Sequence, residues 1–211
     1  MSVVGIVPAG GSGERLGADR PKAFVVCAGR PLLEWSLEVL RSVCERVVVA
    51  APEGWDEGPD FVRGGESRSA SVRNALAAAP EATIAVVHDA ARPLVSRELV
   101  ERCIAALEPG VDGAIAAVPM TDTVKEAASD GRVLRTLDRS ALWSIQTPQV
   151  FRADVLRRAL ERDALALAAA TDDAALVEEL GATVRVVESF PENIKVTKEH
   201  DLRIVEALLA D

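Results

Sequence analysis

Val3-Val4-Gly5-Ile6-Val7-Pro8-Ala9-Gly10-Gly11-Ser12-Gly13-Glu14-Arg15-Leu16-Gly17 is an apolar run of strand length that breaks into a glycine-rich loop. The next helix is expected to begin at Pro31, whose fixed φ suits a first helical turn. Strand, long loop and helix then recur along the chain. Arg46 to Ala51 is Val-rich, Phe61 to Arg63 is short and extended, and Ser67 to Ala79 is Ala-rich with helical spacing. Thr83 to Val87 reads as a buried strand, Ser96 caps a helix running to about Leu107, and Gly113 to Val118 is a further strand. Strands alternating with helices predict an α/β fold with a doubly wound, mainly parallel sheet.

The pattern changes between Thr121 and Asp138. Thr-Asp-Thr-Val-Lys-Glu and Val-Leu-Arg-Thr-Leu-Asp flank Asp130-Gly131, a hairpin turn signal, so this segment is expected to project as a two-stranded arm. An isolated hairpin is marginally stable and needs something to lie against, and a second copy of the chain is one candidate. Helices are expected near Arg152 to Arg162, Asp172 to Leu180 and Lys198 to Leu209, with a strand at Thr183 to Val187. Repeats and low-complexity linkers are absent, so residues 1–211 are expected to form a single domain.

Hydrophobic residues make up 49% of the 211 and charged residues 27%, enough apolar material for a sizeable core. The 33 acidic residues outnumber the 24 basic ones, giving a net charge of -9. That excludes a chain built to coat nucleic acid or an anionic membrane, and any polyanion must meet a local cluster of cations. Cys27, Cys44 and Cys103 lack CxxC spacing, which fits buried reduced thiols in a cytoplasmic protein better than disulfides or zinc. The N-terminus has no basic region ahead of its short apolar run, and no later run approaches membrane-spanning length, so neither export nor a membrane span is expected. Lys22, Lys125, Lys195 and Lys198 are the only lysines, and each invites a separate reading.

The loop after the first strand lies where open α/β sheets place ligands. It fails the GxGxxG fingerprint, because Leu16 stands where the third glycine is required, and it lacks the Gly-Lys-Ser/Thr of a Walker loop. Two readings stay open: a flexible surface loop, or a cradle of backbone amides for phosphate, which the flanking Arg15 and Pro21-Lys22 favour. Gly64-Gly65-Glu66-Ser67-Arg68-Ser69-Ala70-Ser71-Val72 is either a turn with a helix cap or a second ligand contact. His88-Asp89-Ala90-Ala91-Arg92-Pro93 follows a strand, and Asp89 and Arg92 either reach the same crevice or form a solvated ion pair. His88 and His200 both read as structural, since neither has a metal-spaced or catalytic neighbour. With no tyrosine, no GxSxG and no Cys or His cluster, nucleophilic hydrolysis and zinc chemistry are disfavoured. A cation-rich, base-poor site suits a nucleophile that is already ionised, such as a phosphate monoester.

These segments together resemble the 2-C-methyl-D-erythritol 4-phosphate cytidylyltransferases. The resemblance extends through Asp122-Thr123-Val124-Lys125, Asp138-Arg139, Leu142-Trp143, Gln146-Thr147-Pro148-Gln149, Thr171-Asp172 and Asn193-Ile194-Lys195-Val196-Thr197, essentially the whole chain. It implies a Rossmann-like sheet of nucleotidyltransferase type, and transfer of CMP from CTP to methylerythritol phosphate with release of pyrophosphate. CTP would be held by Pro8, Ala9, Gly10, Gly11, Gly65, Glu66 and Ser71. Arg15, Lys22 and Lys195 would be catalytic, the first two facing the triphosphate and Lys195 the α-phosphorus. Asp89, Arg92, Thr123, Arg139, Thr147 and Thr171 would hold the polyol phosphate. The resemblance also implies a divalent cation, Mg²⁺ or another, held largely by the triphosphate, and a homodimer whose arms, about 121–139, cross into the neighbour's site. A cytidylyltransferase for another polyol phosphate, such as ribitol 5-phosphate, and a non-catalytic nucleotide-binding module are the alternatives. The second would be expected to lack Arg15, Lys22 or Lys195, and all three are present.

Overall fold

The computed structural model describes every residue except Ser12, Glu14, Arg15, Ala18, Glu57 and Asp211. Strand β1 (Val3–Pro8) is followed by a 3-10 turn at Lys22–Phe24, a small hairpin of β2 (Val26–Cys27) and β3 (Arg30–Pro31), and helix α1 (Leu32–Arg41). Then come β4 (Arg46–Ala51), β5 (Phe61–Arg63), α2 (Arg68–Ala77), β6 (Ile84–Val87), α3 (Arg97–Ala105) and β7 (Gly113–Pro119). The arm consists of β8 (Lys125–Ala127) and β9 (Val133–Thr136). Beyond it lie β10 (Trp143–Arg152), α4 (Ala153–Ala159), α5 (Ala164–Ala169), α6 (Asp173–Glu178), β11 (Val184–Glu188) and α7 (Glu199–Ala210).

Seven strands form the main sheet in the order β11-β7-β10-β6-β1-β4-β5. Neighbours pair in parallel except around β10, which runs antiparallel to both β6 and β7. The chain moves from β1 outward to β4 and β5, then crosses back to place β6 on the other side of β1. That reversal makes the crevice between the ends of β1 and β6 the topological switch point, where such sheets bind ligands.

The period of two along each strand builds both layers. Val4 and Ile6 of β1, with Val48 and Ala50 of β4, face a core shared with α2, α4, α5 and α6. Val3, Val7, Val47, Val49 and Ala51 face the opposite core, against Leu33, Leu37 and Leu40 of α1 and Leu99, Val100 and Cys103 of α3. Each side chain is buried on one face or the other, which is why these strands read as continuous apolar runs. Where β7 meets β10, Gly113 is required: a Cβ there would lie 2.8 Å from the Phe151 ring. Helix α7 packs separately, with Val205 against Cys27, Leu32 and Val196.

The expected elements are present with ends shifted by up to three residues, the most at the C-terminal end of α4, and the expected start of α1 at Pro31 becomes its N-cap. The β2–β3 hairpin was not expected in what reads as a long loop, and neither were α5 and β10. Helix α5 is short, capped by the Asp163 side chain accepting the Ala166 N–H at 2.8 Å. Strand β10 is long and central, and carries a register shift between Ile145 and Gln149 around Pro148. The arm turns at Asp130-Gly131 as expected, with Gly131 at φ 84°. All seven of its strand residues are exposed. The three cysteines are free and buried, which pushes the Cys27 thiol up to about 11 and the other two to about 12. Among the described residues, no helix is long and apolar enough to cross a membrane.

Candidate active site

The first loop and the 64–66 segment meet because they hang from the ends of β1 and β5, the two strands that flank β4. The Ala9 N–H donates to the Ala50 carbonyl at 2.7 Å, and the Gly64 N–H to the Ala51 carbonyl at 2.7 Å. The loop closes on itself where the Lys22 N–H donates to the Gly11 carbonyl at 2.9 Å. Opposite stands the N-terminus of α2, capped by Ser67, whose Oγ accepts the Ala70 N–H at 3.1 Å. Ser71, one turn in, donates from Oγ to the Ser67 carbonyl at 2.9 Å and accepts the Gly65 N–H at 3.0 Å. A cavity of about 220 Å³ lies between these parts. Pro8, Ala9, Gly10, Gly11, Lys22, Gly65, Glu66, Ser71, Asp89 and Lys195 all line it, so the expected nucleotide residues among the described ones are brought together. Arg15, expected beside them, lies outside the described residues. Backbone amides from a glycine loop, a helix N-terminus and two lysines suit a triphosphate.

A second cavity of about 280 Å³ adjoins the first and shares Arg68, Asp89 and Lys195 with it. Its remaining wall includes Arg92, Thr147 and Thr171, three of the residues expected to hold the polyol phosphate. Thr123 and Arg139 line neither cavity. They are exposed on the arm, where Arg139 donates to the Thr121 carbonyl.

Between the cavities runs an alternating row of charges. Asp89 is buried and binds the Lys195 ammonium through Oδ2 at 2.5 Å and Arg68 Nε through Oδ1 at 2.9 Å. Arg68 Nη1 donates in turn to Oδ2 of Asp173, fully buried at the start of α6, at 2.5 Å. Burial alone would raise the Asp89 pKa, but Arg68 and Lys195 outweigh it and hold the carboxyl well below the ordinary range. Burial pushes Asp173 upward, opposed by Arg68. Of the two readings of Asp89 and Arg92, the shared crevice holds: Arg92 does not pair with Asp89, but donates to the Asn193 carbonyl at 2.7 Å. Burial lowers the Arg92 pKa.

Lys195 reaches this point because its segment is stitched to the sheet. The Val196 N–H donates to the Ala91 carbonyl at 2.8 Å, and Asn193 Nδ2 donates to Gln146 Oε1 at 2.8 Å and to the Thr147 carbonyl at 3.0 Å. Sequence reasoning gave no role to Arg68, Asp173 or Asn193. Arg68 and Asp173 stand 105 positions apart, and their pairing leaves no local pattern.

Comparison with known proteins agrees with this geometry. The family model described as 2-C-methyl-D-erythritol 4-phosphate cytidylyltransferase matches residues 3–211. The enzyme of that name from Frankia casuarinae is 46% identical over 219 residues, covering 99% of this chain and 81% of that protein. The one from Nocardia farcinica is 43% identical over 220 residues, covering 99% and 94%. A crystal structure of the enzyme of that name from Thermus thermophilus superposes with a TM-score of 0.85 at 36% identity, over 100% of both chains. Matched along nearly its whole length by sequence and by fold, the chain belongs to the 2-C-methyl-D-erythritol 4-phosphate cytidylyltransferase family.

Proposed function

We propose that residues 1–211 act as one nucleotidyltransferase domain that transfers CMP from CTP to 2-C-methyl-D-erythritol 4-phosphate. The observation that carries this reading is the pair of adjoining cavities with Asp89, Arg68 and Lys195 as their common wall. A nucleotide in the first and a phosphate ester in the second would meet at Lys195. A phosphate oxygen of the polyol attacks the α-phosphorus, forming one P–O bond as the bond to pyrophosphate breaks. That oxygen is already ionised, so no side chain has to remove a proton.

The protein then has to position two anions and neutralise the charge between them. The Gly10-Gly11 loop and the α2 N-terminus orient the triphosphate, with Arg15 and Lys22 as its cations. Lys195, parked on Asp89 at 2.5 Å, moves toward the α-phosphate when the nucleotide arrives. Asp89 keeps Arg68 as partner and offers the freed oxygen to a polyol hydroxyl, while Arg92, Thr147 and Thr171 frame the rest. Among the described residues, no three of His, Cys, Asp and Glu are grouped to hold a metal ion, and both Asp89 oxygens are engaged by cations. A magnesium ion carried on the phosphate oxygens of CTP would be part of the nucleotide substrate and would offset their charge.

The reading includes a homodimer. Thr123 and Arg139 would complete the polyol site of the neighbouring chain. The exposed apolar residues Val133, Leu134, Trp143 and Ile145, on and beside the arm, would be covered by that contact. Pyrophosphate release from CTP and Mg²⁺, compared between methylerythritol phosphate and ribitol 5-phosphate, tests the assignment. Release with the first is expected, and release with ribitol 5-phosphate alone would overturn it.

A further inference from the structure

His88 lines neither cavity, yet it touches two residues that do. It is fully buried just beyond the C-terminal end of β6. Its Nε2 lies 3.1 Å from the Arg92 carbonyl oxygen, which can only accept, so Nε2 bears a proton. Burial lowers the pKa of the ring to about 4, which leaves it neutral around pH 7. A neutral imidazole has a single N–H, so Nδ1 is a bare acceptor. That nitrogen lies 3.1 Å from Thr147 Oγ1, and the threonine hydroxyl therefore points its one proton at His88. On another side, the same oxygen accepts the Asp89 N–H at 3.0 Å. The proton and one lone pair of Thr147 are both committed inside the protein. A single lone pair is left for whatever occupies the Arg92 cavity.

We infer that His88 is a positioning residue that locks Thr147 as a hydrogen-bond acceptor, so that this point of the site selects a hydroxyl of the acceptor substrate and turns away phosphate oxygens. A phosphate monoester at neutral pH presents oxygens that mostly accept, and Thr147 has no proton to offer them. A polyol hydroxyl supplies the missing donor. The phosphate is left to the cations of the same cavity, Arg92 and Lys195, and the polyol is thereby oriented end for end. The inference deepens the proposed function and rests on its reading of the Arg92 cavity as the polyol site.

Two measurements on the full chain keep the inference and that reading apart. In protein labelled with nitrogen-15 at histidine, NMR at neutral pH is expected to show His88 protonated at Nε2 and bare at Nδ1. A proton on Nδ1 overturns the inference whatever the substrate. In steady-state assays with CTP and methylerythritol phosphate, His88→Phe is expected to raise KM for the polyol phosphate roughly tenfold and to leave KM for CTP within about twofold. The increase should vanish in a Thr147→Val background, because the histidine acts through that hydroxyl. An equal increase in that background, or one in KM for CTP, would reduce His88 to a structural role and overturn the inference. If His88→Phe fails to fold, Thr147→Ser is expected to keep KM for the polyol phosphate near wild type while Thr147→Val raises it about tenfold. Equal values for the two would overturn the inference. If wild-type protein released no pyrophosphate with this substrate pair, the proposed function would fall, and the histidine tautomer would still decide the state of Thr147.

Discussion

Gly65 has no room for a side chain: a Cβ there would lie 2.5 Å from Ala70 Cβ and 2.8 Å from the Ala70 carbonyl carbon. Gly65→Ala should push the 64–66 segment away from α2 and break the bond from its N–H to Ser71 Oγ. An increase of roughly tenfold in the calorimetric Kd for CTP is expected, with polyol binding much less affected. The lysines should divide in the same way. Lys22→Ala and Lys195→Ala each lose a charge at the cavity, and kcat is expected to fall on the order of 10²-fold for each. Lys125, which binds Thr136 on the arm, and the exposed Lys198 should tolerate alanine. Equal effects at all four would move the reaction centre elsewhere. His88 contributes to the response of stability to acid. Its pKa is about 4 folded against 6.5 for the free side chain, so between these values the unfolded chain binds a proton that the folded one does not. Stability should fall as pH drops from 6.5 to 4, by at most about 3 kcal/mol from this residue. The Asp89 contribution, present above the ordinary carboxylate range, should be lost only at lower pH. Denaturant titrations of wild type and His88→Gln across that interval should differ in slope.

At the scale of elements, Arg68 ties the first turn of α2 to the end of β6 and the start of α6 through two carboxylates. Removing it leaves Asp173 buried without a cation, so Arg68→Ala is expected to cost about 3–5 kcal/mol in chemical denaturation. Arg97→Ala, which breaks an exposed pair with Glu101 one helical turn away, should cost well under about 1 kcal/mol. Most elements were legible in the sequence because burial on both faces leaves long apolar strands, and because Ser67 and Ser96 mark their helices as N-caps. Strand β10 was not. Its Gln146, Thr147 and Gln149 are buried polar residues, and Pro148 breaks the ladder, so the segment lacks the apolar run and the free amide expected of a central strand. Those irregularities serve the site, with Thr147 facing the second cavity at the register shift. The glycine loops and lone lysines were legible as candidates because few other chemistries suit them. The Asp173–Arg68–Asp89–Lys195 row was not, because it is assembled from four separated segments and exists only once the sheet is closed.

At the scale of the whole molecule, the arm is the part that one chain leaves without an evident role. Its strands are fully exposed, and Arg139 and Thr123 stand away from both cavities. If each arm completes the partner's site, Lys22→Ala and Arg139→Ala chains, each inactive alone, should complement when mixed after dissociation. Random pairing in equal amounts gives half mixed dimers with one intact site of two, restoring about a quarter of wild-type activity. Mixed dimers that form and stay inactive would place Arg139 in its own chain's site. The central claim is that the two cavities bring a phosphate oxygen and an α-phosphorus together for one direct displacement, with no protein nucleophile between them. The stereochemistry at phosphorus tests it most directly. CTP carrying sulfur at the α-phosphorus in one configuration, turned over with methylerythritol phosphate, should give a product inverted at that centre. Retention would require two displacements through a nucleotidylated side chain, and would contradict the account.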